Sequence, residues 1–189
     1  MKGEQNLSMA LVHYPVRDRD GGLTSTAVTP LTVHDMARVA RTYDMESFYV
    51  VTPLKSQQAL VQRIDRHWSK GFGAEYNPSR MEALKLVRLV DSLNEATQEI
   101  MEKTGKQPRL IATGASGYHR NIGYGELKEH IISRQGPYLL LFGTAWGLDH
   151  RIMDECDFIL DPIEGVGEYN HLPVRAAAAI IIDRLLSRN

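Results

Sequence analysis

The sequence predicts an α/β fold, with a mostly parallel sheet of five to six strands and helices on both faces. Two observations predict it. Short apolar segments rich in β-branched residues alternate along the chain with segments whose apolar residues recur at helical spacing. The short segments are nearly continuous apolar runs, such as "YLLLFG", which is typical of strands buried on both faces of a parallel sheet.

Each predicted strand is bounded by polar or turn-forming residues, as when "MALVHYPV" is closed by "RDRDGG". Gly114, Gly143 and Gly165 follow three of the strands, where a backbone must turn tightly or approach a ligand closely. Ligands of such sheets bind at the carboxyl ends of the strands, so we expect a site there. The predicted strands span residues 9–16, 47–53, 109–115, 138–143 and 157–163.

Helical patterns fill the intervals between the strands. In residues 32–43 the apolar side chains recur every three or four positions and form one stripe. Residues 79–105 are predicted to be one long helix that ends at Gly105, and Pro173 suits the first turn of the last helix. The remaining predicted helices span residues 56–68, 125–133, 147–156 and 172–188.

Composition indicates a single domain over residues 1–189, with an irregular loop inserted at about 69–80. The net charge of −1 excludes a generally basic coat, so a nucleic-acid partner would need a local patch. Cys156 is the only cysteine, and no apolar run is long enough for a signal peptide or a membrane span. We therefore expect a cytoplasmic protein with no membrane partner.

The sequence contains none of the common nucleotide-binding or metal-binding motifs considered below. The sequence has no P-loop, and "GVGEYN" has Asn170 where a dinucleotide fingerprint has its third glycine. The acidic residue required about 20 positions later would be Asp183, which falls inside the last predicted helix. A dinucleotide-dependent oxidoreductase is therefore a disfavoured alternative. The seven histidines form neither H-x-x-x-H nor H-E-x-x-H, so no metal site is predicted.

Three loops, "ATGASG", "FGTAWG" and "DPIEGVGEYN", are followed by "YNHLPVRAAAAIIIDRLL". In this order they resemble the half of the SPOUT RNA methyltransferases that binds S-adenosyl-L-methionine (AdoMet). The likeness is closest to a bacterial stand-alone family that is also found fused to tRNA (guanine-N1)-methyltransferase. The resemblance implies a C-terminal deep trefoil knot, AdoMet as cofactor, tRNA or rRNA as substrate, and a homodimer joined through its first and last helices.

The resemblance also implies which residues line the AdoMet pocket. Close approach of the backbone to the ligand would account for the glycines, and Asp161 would contribute through its main chain. On this basis Gly143→Val is expected to abolish AdoMet binding without unfolding the chain. The implied cofactor-binding residues are Thr113, Gly114, Ala115, Phe142, Gly143, Thr144, Asp161, Ile163, Tyr169, Asn170 and Leu172.

Three residues are candidates for catalysis. Arg41 matches an arginine in the first helix of ribose-methylating members, although the upstream asparagine of that pattern is absent. The alternative is a surface arginine that covers the edge of the apolar stripe. His13, at the end of the first strand, is a possible base or a structural histidine, and Glu168 is a possible proton acceptor beside the AdoMet loop.

Residues 69–80 interleave cations with aromatic side chains, namely Lys70, Phe72, Tyr76 and Arg80. This combination favours single-stranded RNA, since cations contact phosphates and aromatic rings stack on bases. An ordered surface loop packed by its own aromatics is the alternative. The function predicted overall is an AdoMet-dependent RNA methyltransferase, with a non-catalytic knotted module that binds AdoMet or RNA as the rival.

Overall fold

A computed structural model describes residues 6–117, 121–133, 136–167 and 169–187. Strands and helices alternate along nearly the whole of these ranges. The strands are β1 (Leu7–Val12), β2 (Val16–Arg17), β3 (Leu23–Thr24), β4 (Phe48–Val51), β5 (Val87–Val90), β6 (Arg109–Ala112), β7 (Asn121–Ile122), β8 (Tyr138–Gly143) and β9 (Phe158–Leu160). The helices are α1 (Pro30–Thr42), α2 (Lys55–Ser69), α3 (Phe72–Tyr76), α4 (Pro78–Leu84), α5 (Leu93–Thr104), α6 (Tyr124–Ile132), α7 (His150–Glu155) and α8 (Val174–Leu186).

The main sheet is parallel and has the strand order β5-β4-β1-β8-β6-β9-β7. β1 lies near its centre and pairs with β8 along its whole length, from Leu7 opposite Tyr138 to Val12 opposite Gly143. β2 and β3 form a separate antiparallel hairpin. The mostly parallel sheet is thus confirmed, with seven strands in the described ranges where the sequence predicted five to six.

Helices cover both faces of the sheet, as predicted. In β1, Met9 and Leu11 pack into a core with residues of α1, α2, α4, α6 and α8. Ala10 and Val12 point to the opposite face and pack with residues of α5 and α7. Because every residue of β1 is buried, the strand needs apolar side chains on both faces, which explains its continuous apolar run.

The single long helix predicted for residues 79–105 is wrong. The structure has α4, the strand β5 and α5 in its place, because Val87–Val90 pairs in parallel register with Phe48–Val51 at the edge of the sheet. Ser92 then caps α5 by accepting a hydrogen bond from the backbone N–H of Glu95. The predicted end of the helix is confirmed, since Gly105 follows α5 with a left-handed φ of 72°.

The irregular loop predicted for residues 69–80 is also wrong, since most of this segment is helical. It holds α3 and the first residues of α4. Asn77 begins α4 by accepting a hydrogen bond from the backbone N–H of Arg80, and Pro78 occupies the first turn, where it costs no hydrogen bond. Local capping therefore orders a segment that has too little apolar periodicity to be recognised as helical.

The last helix, α8, carries the most apolar segment of the chain. Ala178, Ile181, Ile182 and Leu185 bury one face of it, and it packs against α1 and α6. Pro173 immediately precedes the helix as its N-cap. Across the described ranges, no helix is long and apolar enough to cross a membrane.

Candidate functional site

A cleft of about 450 Å³ opens at the carboxyl ends of β6 and β8, where the sequence predicted a site. Loops after β6, after β8 and before α8 form its walls, and α8 closes one side. The residues lining it are Arg17, Thr113 to Ser116, Phe142 to Leu148, Met153, Ile163, Asn170 to Val174, Ala177 and Ile181.

Most of the predicted cofactor-binding residues come together in this cleft. Thr113, Gly114, Ala115, Phe142, Gly143, Thr144, Ile163, Asn170 and Leu172 all line it. The Asn170 side-chain amide donates a hydrogen bond to the carbonyl oxygen of Ala115 at 3.1 Å, which ties the third loop to the first. That the cleft holds AdoMet through these residues stays a prediction.

Two of the predicted cofactor-binding residues, Asp161 and Tyr169, are not among the described residues that line the cleft. The backbone N–H of Asp161 donates to the carbonyl of Ile122, in the neighbouring strand, at 3.0 Å. Tyr169 is exposed, and its ring contacts the ring of His171 edge-to-face at 5.4 Å. Glu168, predicted as a proton acceptor, lies outside the described residues.

The segment after β8 turns back on itself, and we call residues 143–148 the elbow. A Cβ atom on Gly143 would lie only 2.5 Å from the backbone nitrogen of Leu148, so the chain itself requires glycine there. Gly147 has a φ of 103°, and its N–H donates to the Thr144 carbonyl at 2.9 Å. Ala145 also adopts a positive φ, of 51°. The expectation that Gly143→Val would remove ligand binding without affecting folding is therefore wrong.

Gly114 differs from Gly143, because nothing in the described part of the chain requires glycine at this position. A Cβ atom there would lie 3.8 Å from the nearest backbone oxygen, that of Ser116, which is an ordinary contact distance. Its backbone does not adopt a positive φ. Since Gly114 lines the cleft, a side chain at this position would project into space that a ligand can use.

Hydrogen bonds connect the elbow to β1 through Thr144, Thr26 and His13. The Thr144 hydroxyl donates to the carbonyl of Val12 at 3.0 Å, so it accepts from the Thr26 hydroxyl at 2.5 Å. Thr26 in turn accepts from the Nδ1–H of His13 at 2.8 Å. The direction of these donors places the proton of the neutral His13 ring on Nδ1.

The position of His13 favours a structural role over catalysis. Its side chain is buried and does not line the cleft, and its Nε2 has no hydrogen-bond partner within the described part of the chain. Burial lowers the pKa of His13 from its ordinary value of 6.5 to about 4. The ring is therefore neutral at pH 7, and its basicity is too low for an efficient proton acceptor there.

Arg41 is not among the described residues that line the cleft of one chain, and a catalytic role for it stays a prediction. Arg41 lies in the last turn of α1. Its guanidinium donates to the carboxylates of Asp44 and Glu82. The hydrogen bond to Glu82 and the negative charge of its carboxylate are the main causes that raise the pKa of Arg41, and Asp44 adds a smaller effect. The sequence could not show this pairing, because Glu82 belongs to α4, which the predicted long helix concealed.

Residues 69–80 present an exposed aromatic pair. Phe72 and Tyr76 on α3 stack with ring centroids 5.7 Å apart, and Lys70 beside them is exposed. Arg80 behaves differently, since its guanidinium lies over the Trp68 ring at 5.1 Å and its Nε is buried. Three of the four predicted RNA-binding residues are thus accessible, and the fourth packs against the protein.

Twelve of the 21 described residues that line the cleft were not predicted as site residues, among them Arg17 and Trp146. Arg17 belongs to the hairpin that follows β1, and its backbone N–H donates to the carbonyl of Gly147 at 3.0 Å. The backbone N–H of Trp146 donates back to the carbonyl of Arg17 at 3.1 Å. The sequence feature that could have indicated Arg17 is the polar run "RDRDGG", which was interpreted only as the turn that closes the first strand.

A family described as SAM-dependent RNA methyltransferases, SAM being AdoMet, matches residues 6–187. The chain belongs to this family. The match spans the strands of the sheet, all three loops of the cleft and α8.

Curated relatives agree with this assignment. An uncharacterized protein of Aquifex aeolicus is 40% identical over 185 residues, which is 98% of this chain and 90% of that protein. The tRNA (guanine-N(1)-)-methyltransferase of Oleidesulfovibrio alaskensis is 42% identical over 182 residues, or 96% of this chain. This chain spans only 42% of the length of that enzyme.

Solved structures share the fold. The SpoU methyltransferase AviRb of Streptomyces viridochromogenes, solved with AdoMet, matches with a TM-score of 0.58 at 18% identity, over 97% of this chain and 60% of that one. The TrmH/SpoU tRNA modifying enzyme of A. aeolicus matches with a TM-score of 0.57 at 14% identity, over 96% and 74% of the two chains. The SPOUT fold is thus confirmed, and the knot within it stays a prediction.

The buried His13 predicts a pH dependence of stability. Between about pH 6.5 and pH 4 the unfolded chain takes up a proton at His13 that the folded chain does not. The free energy of unfolding should therefore fall through this window, with His13 contributing up to about 3 kcal/mol. Urea unfolding at pH 7 and pH 4.5 should show a smaller loss for His13→Gln than for wild type. Equal losses would contradict this assignment.

Proposed function

We propose that this chain transfers the methyl group of AdoMet, held in the cleft, to a tRNA or rRNA. Membership of the SAM-dependent RNA methyltransferase family supports the reaction class. The observation that carries the proposal is the cleft itself. Residues from all three loops that resemble the AdoMet-binding half of SPOUT enzymes meet there, at the carboxyl ends of β6 and β8.

The residues of the cleft suit AdoMet. Its volume of about 450 Å³ falls within the roughly 300–1,000 Å³ typical of small-molecule sites. Apolar side chains, among them Phe142, Ile163 and Leu172, offer surfaces for the adenine ring. The hydroxyls of Thr113 and Thr144 donate to backbone carbonyls and remain able to accept hydrogen bonds from a ligand.

AdoMet supplies an electrophilic methyl group that a nucleophilic atom of the RNA displaces directly from sulfur. The work of the protein is then to align the RNA atom and to take up any proton released. A covalent intermediate on Cys156 is not needed. Its thiol is buried and donates to the carbonyl of Ile152, and burial raises its pKa to about 12, which leaves it protonated and unreactive.

RNA binding is supported by the exposed surface of α3. Phe72 and Tyr76 offer rings on which bases can stack, and Lys70 offers a cation for phosphate contact. Arg80 is left out of this surface because its guanidinium is engaged with Trp68.

A non-catalytic module that binds AdoMet or RNA is the second candidate. One observation favours it: neither His13 nor Arg41 lines the cleft. The methyl-transfer experiment below separates the two candidates.

A homodimer is also part of the proposal. α1 and α8 pack side by side, and Leu31 at the start of α1 exposes 55% of its surface. Ala176, Ala179 and Ile180 of α8 are only half buried within one chain. Small and apolar side chains on adjacent helices favour close packing against a second copy.

Gly114→Val should weaken AdoMet binding at least about tenfold, because the new side chain fills the cleft without straining the backbone. Calorimetric titration with AdoMet measures the effect. The matched control is Gly125→Val, which also meets open space but lies outside the cleft, on the first turn of α6. Unchanged affinity in Gly114→Val, with both variants folded, would show that AdoMet binds elsewhere.

Wild-type protein should transfer tritium from methyl-labelled AdoMet into total RNA from a strain that lacks this protein. Gly114→Val should transfer about tenfold less at sub-saturating AdoMet, because fewer molecules carry the cofactor. Nucleoside analysis of the labelled fraction then identifies the RNA and the modified atom. Tight AdoMet binding with no label in any RNA would favour the non-catalytic module.

Light scattering at micromolar concentration should give twice the chain mass of 21.3 kDa. Leu31→Asp should shift the mass toward that of one chain, because it places a charge in the proposed interface. Met101→Asp is the control, since Met101 is similarly exposed but lies on α5, on the opposite face of the sheet. A single-chain mass for wild type would exclude the dimer.

A further inference from the structure

Arg17 is the only permanently charged residue among the described residues that line the cleft. The hairpin β2–β3 holds it at the cleft mouth, where two backbone hydrogen bonds join it to Trp146 and Gly147. A Cβ atom on Gly147 would lie 3.4 Å from the Nη2 of Arg17, so the elbow has glycine where the guanidinium packs against it. The side chain is therefore positioned by the fold.

The charge of Arg17 is not neutralised within the described chain. Its Nη1 donates to the Nε2 of His150 at 3.2 Å and its Nη2 to the carbonyl of Trp146 at 3.3 Å, and neither acceptor is a carboxylate. Its Nε is buried and has no acceptor among the described residues. Most buried guanidinium donors are paired, so this arrangement lacks an anion.

Two carboxylates lie close in sequence to this site, Asp18 next to Arg17 and Asp149 just after the elbow. Both form hydrogen bonds with other groups. The Oδ1 of Asp18 accepts from the backbone N–H groups of Asp20 and Gly22 and shapes the hairpin turn. The Oδ1 of Asp149 caps α7 and pairs with the Nε of Arg151 at 2.9 Å. Neither forms an ion pair with Arg17.

Trp146, beside Arg17, is 58% exposed although it lines the cleft. Its backbone is held on both sides by Arg17, while the ring extends from the elbow into accessible space. A fixed, exposed aromatic ring next to an unpaired guanidinium matches the two chemical parts of a nucleotide, the base and the phosphate.

We propose that Arg17 and Trp146 dock one nucleotide of the RNA at the mouth of the cleft, with its phosphate on Arg17 and its base against Trp146. This inference rests on the proposed function, because it assumes an RNA substrate. It assigns to the elbow and the hairpin the task of delivering a nucleotide to the cofactor. The α3 surface would contact RNA farther from the reaction.

Binding of bulk bacterial tRNA, measured by filter retention at several salt concentrations, tests this docking. Arg17→Met keeps the aliphatic stem and the backbone hydrogen bonds but removes the charge. It should weaken tRNA binding about tenfold and lower the slope of log affinity against log salt by about one. Trp146→Ala should weaken binding at all salt concentrations with little change of slope, and Trp146→Phe should restore most of the affinity. Arg19→Met is the matched control, an exposed arginine of the same hairpin that does not line the cleft.

The AdoMet affinity of each variant separates the possible outcomes. Unchanged AdoMet affinity together with the tRNA effects supports the docking site. Loss of AdoMet affinity in Arg17→Met with unchanged tRNA binding would overturn it, because Arg17 would then hold the carboxylate of the cofactor. Equal tRNA binding by Arg17→Met and Arg19→Met would overturn it as well. A wild type that binds tRNA through Arg17 but transfers no methyl group would leave the docking intact and refute the enzyme.

Discussion

The close approach of two backbone segments at Gly143 organises the functional end of this protein. β8 runs straight out of the centre of the sheet, and the chain returns so tightly that Gly143 meets the backbone of Gly147 and Leu148. The return brings Thr144 onto the last carbonyl of β1 and joins Trp146 and Gly147 to the β2–β3 hairpin. One steric constraint therefore connects the sheet, the hairpin and the cleft wall.

The cleft that results has an uneven distribution of charge. Apart from Asn170 and His171, the rest of its described lining is apolar or carries hydroxyl groups, and Arg17 is the lone permanent charge among the described lining residues. A protein with a formal net charge of −1 cannot attract RNA through its overall field. Recognition must then depend on local groups, such as Arg17 with Trp146 and Lys70 with the α3 aromatic pair.

Buried groups around the cleft are arranged for rigidity. His13, Thr26 and Thr144 form a directed chain of hydrogen bonds between the hairpin segment, β1 and the elbow. Burial favours the neutral imidazole, because protonation at Nε2 would place a charge in the protein interior. The histidine that the sequence offered as a base is better understood as a fixed part of the support beneath the cleft.

The sequence by itself determined the fold class, the parallel sheet, the end of α5 at Gly105 and nine of the 21 described residues that line the cleft. These follow from local patterns, since strands buried on both faces are continuously apolar and ligand loops follow their carboxyl ends. The tertiary structure alone decided that Val87–Val90 forms an edge strand, because only pairing with β4 distinguishes that segment from a helix. It also decided the positions of Arg41 and Arg17, since each depends on a partner distant in the chain: Glu82 engages Arg41, and the elbow holds Arg17 at the cleft. Periodicity reports which face of an element is buried, but the pairing of charges across elements exists only once the chain has folded.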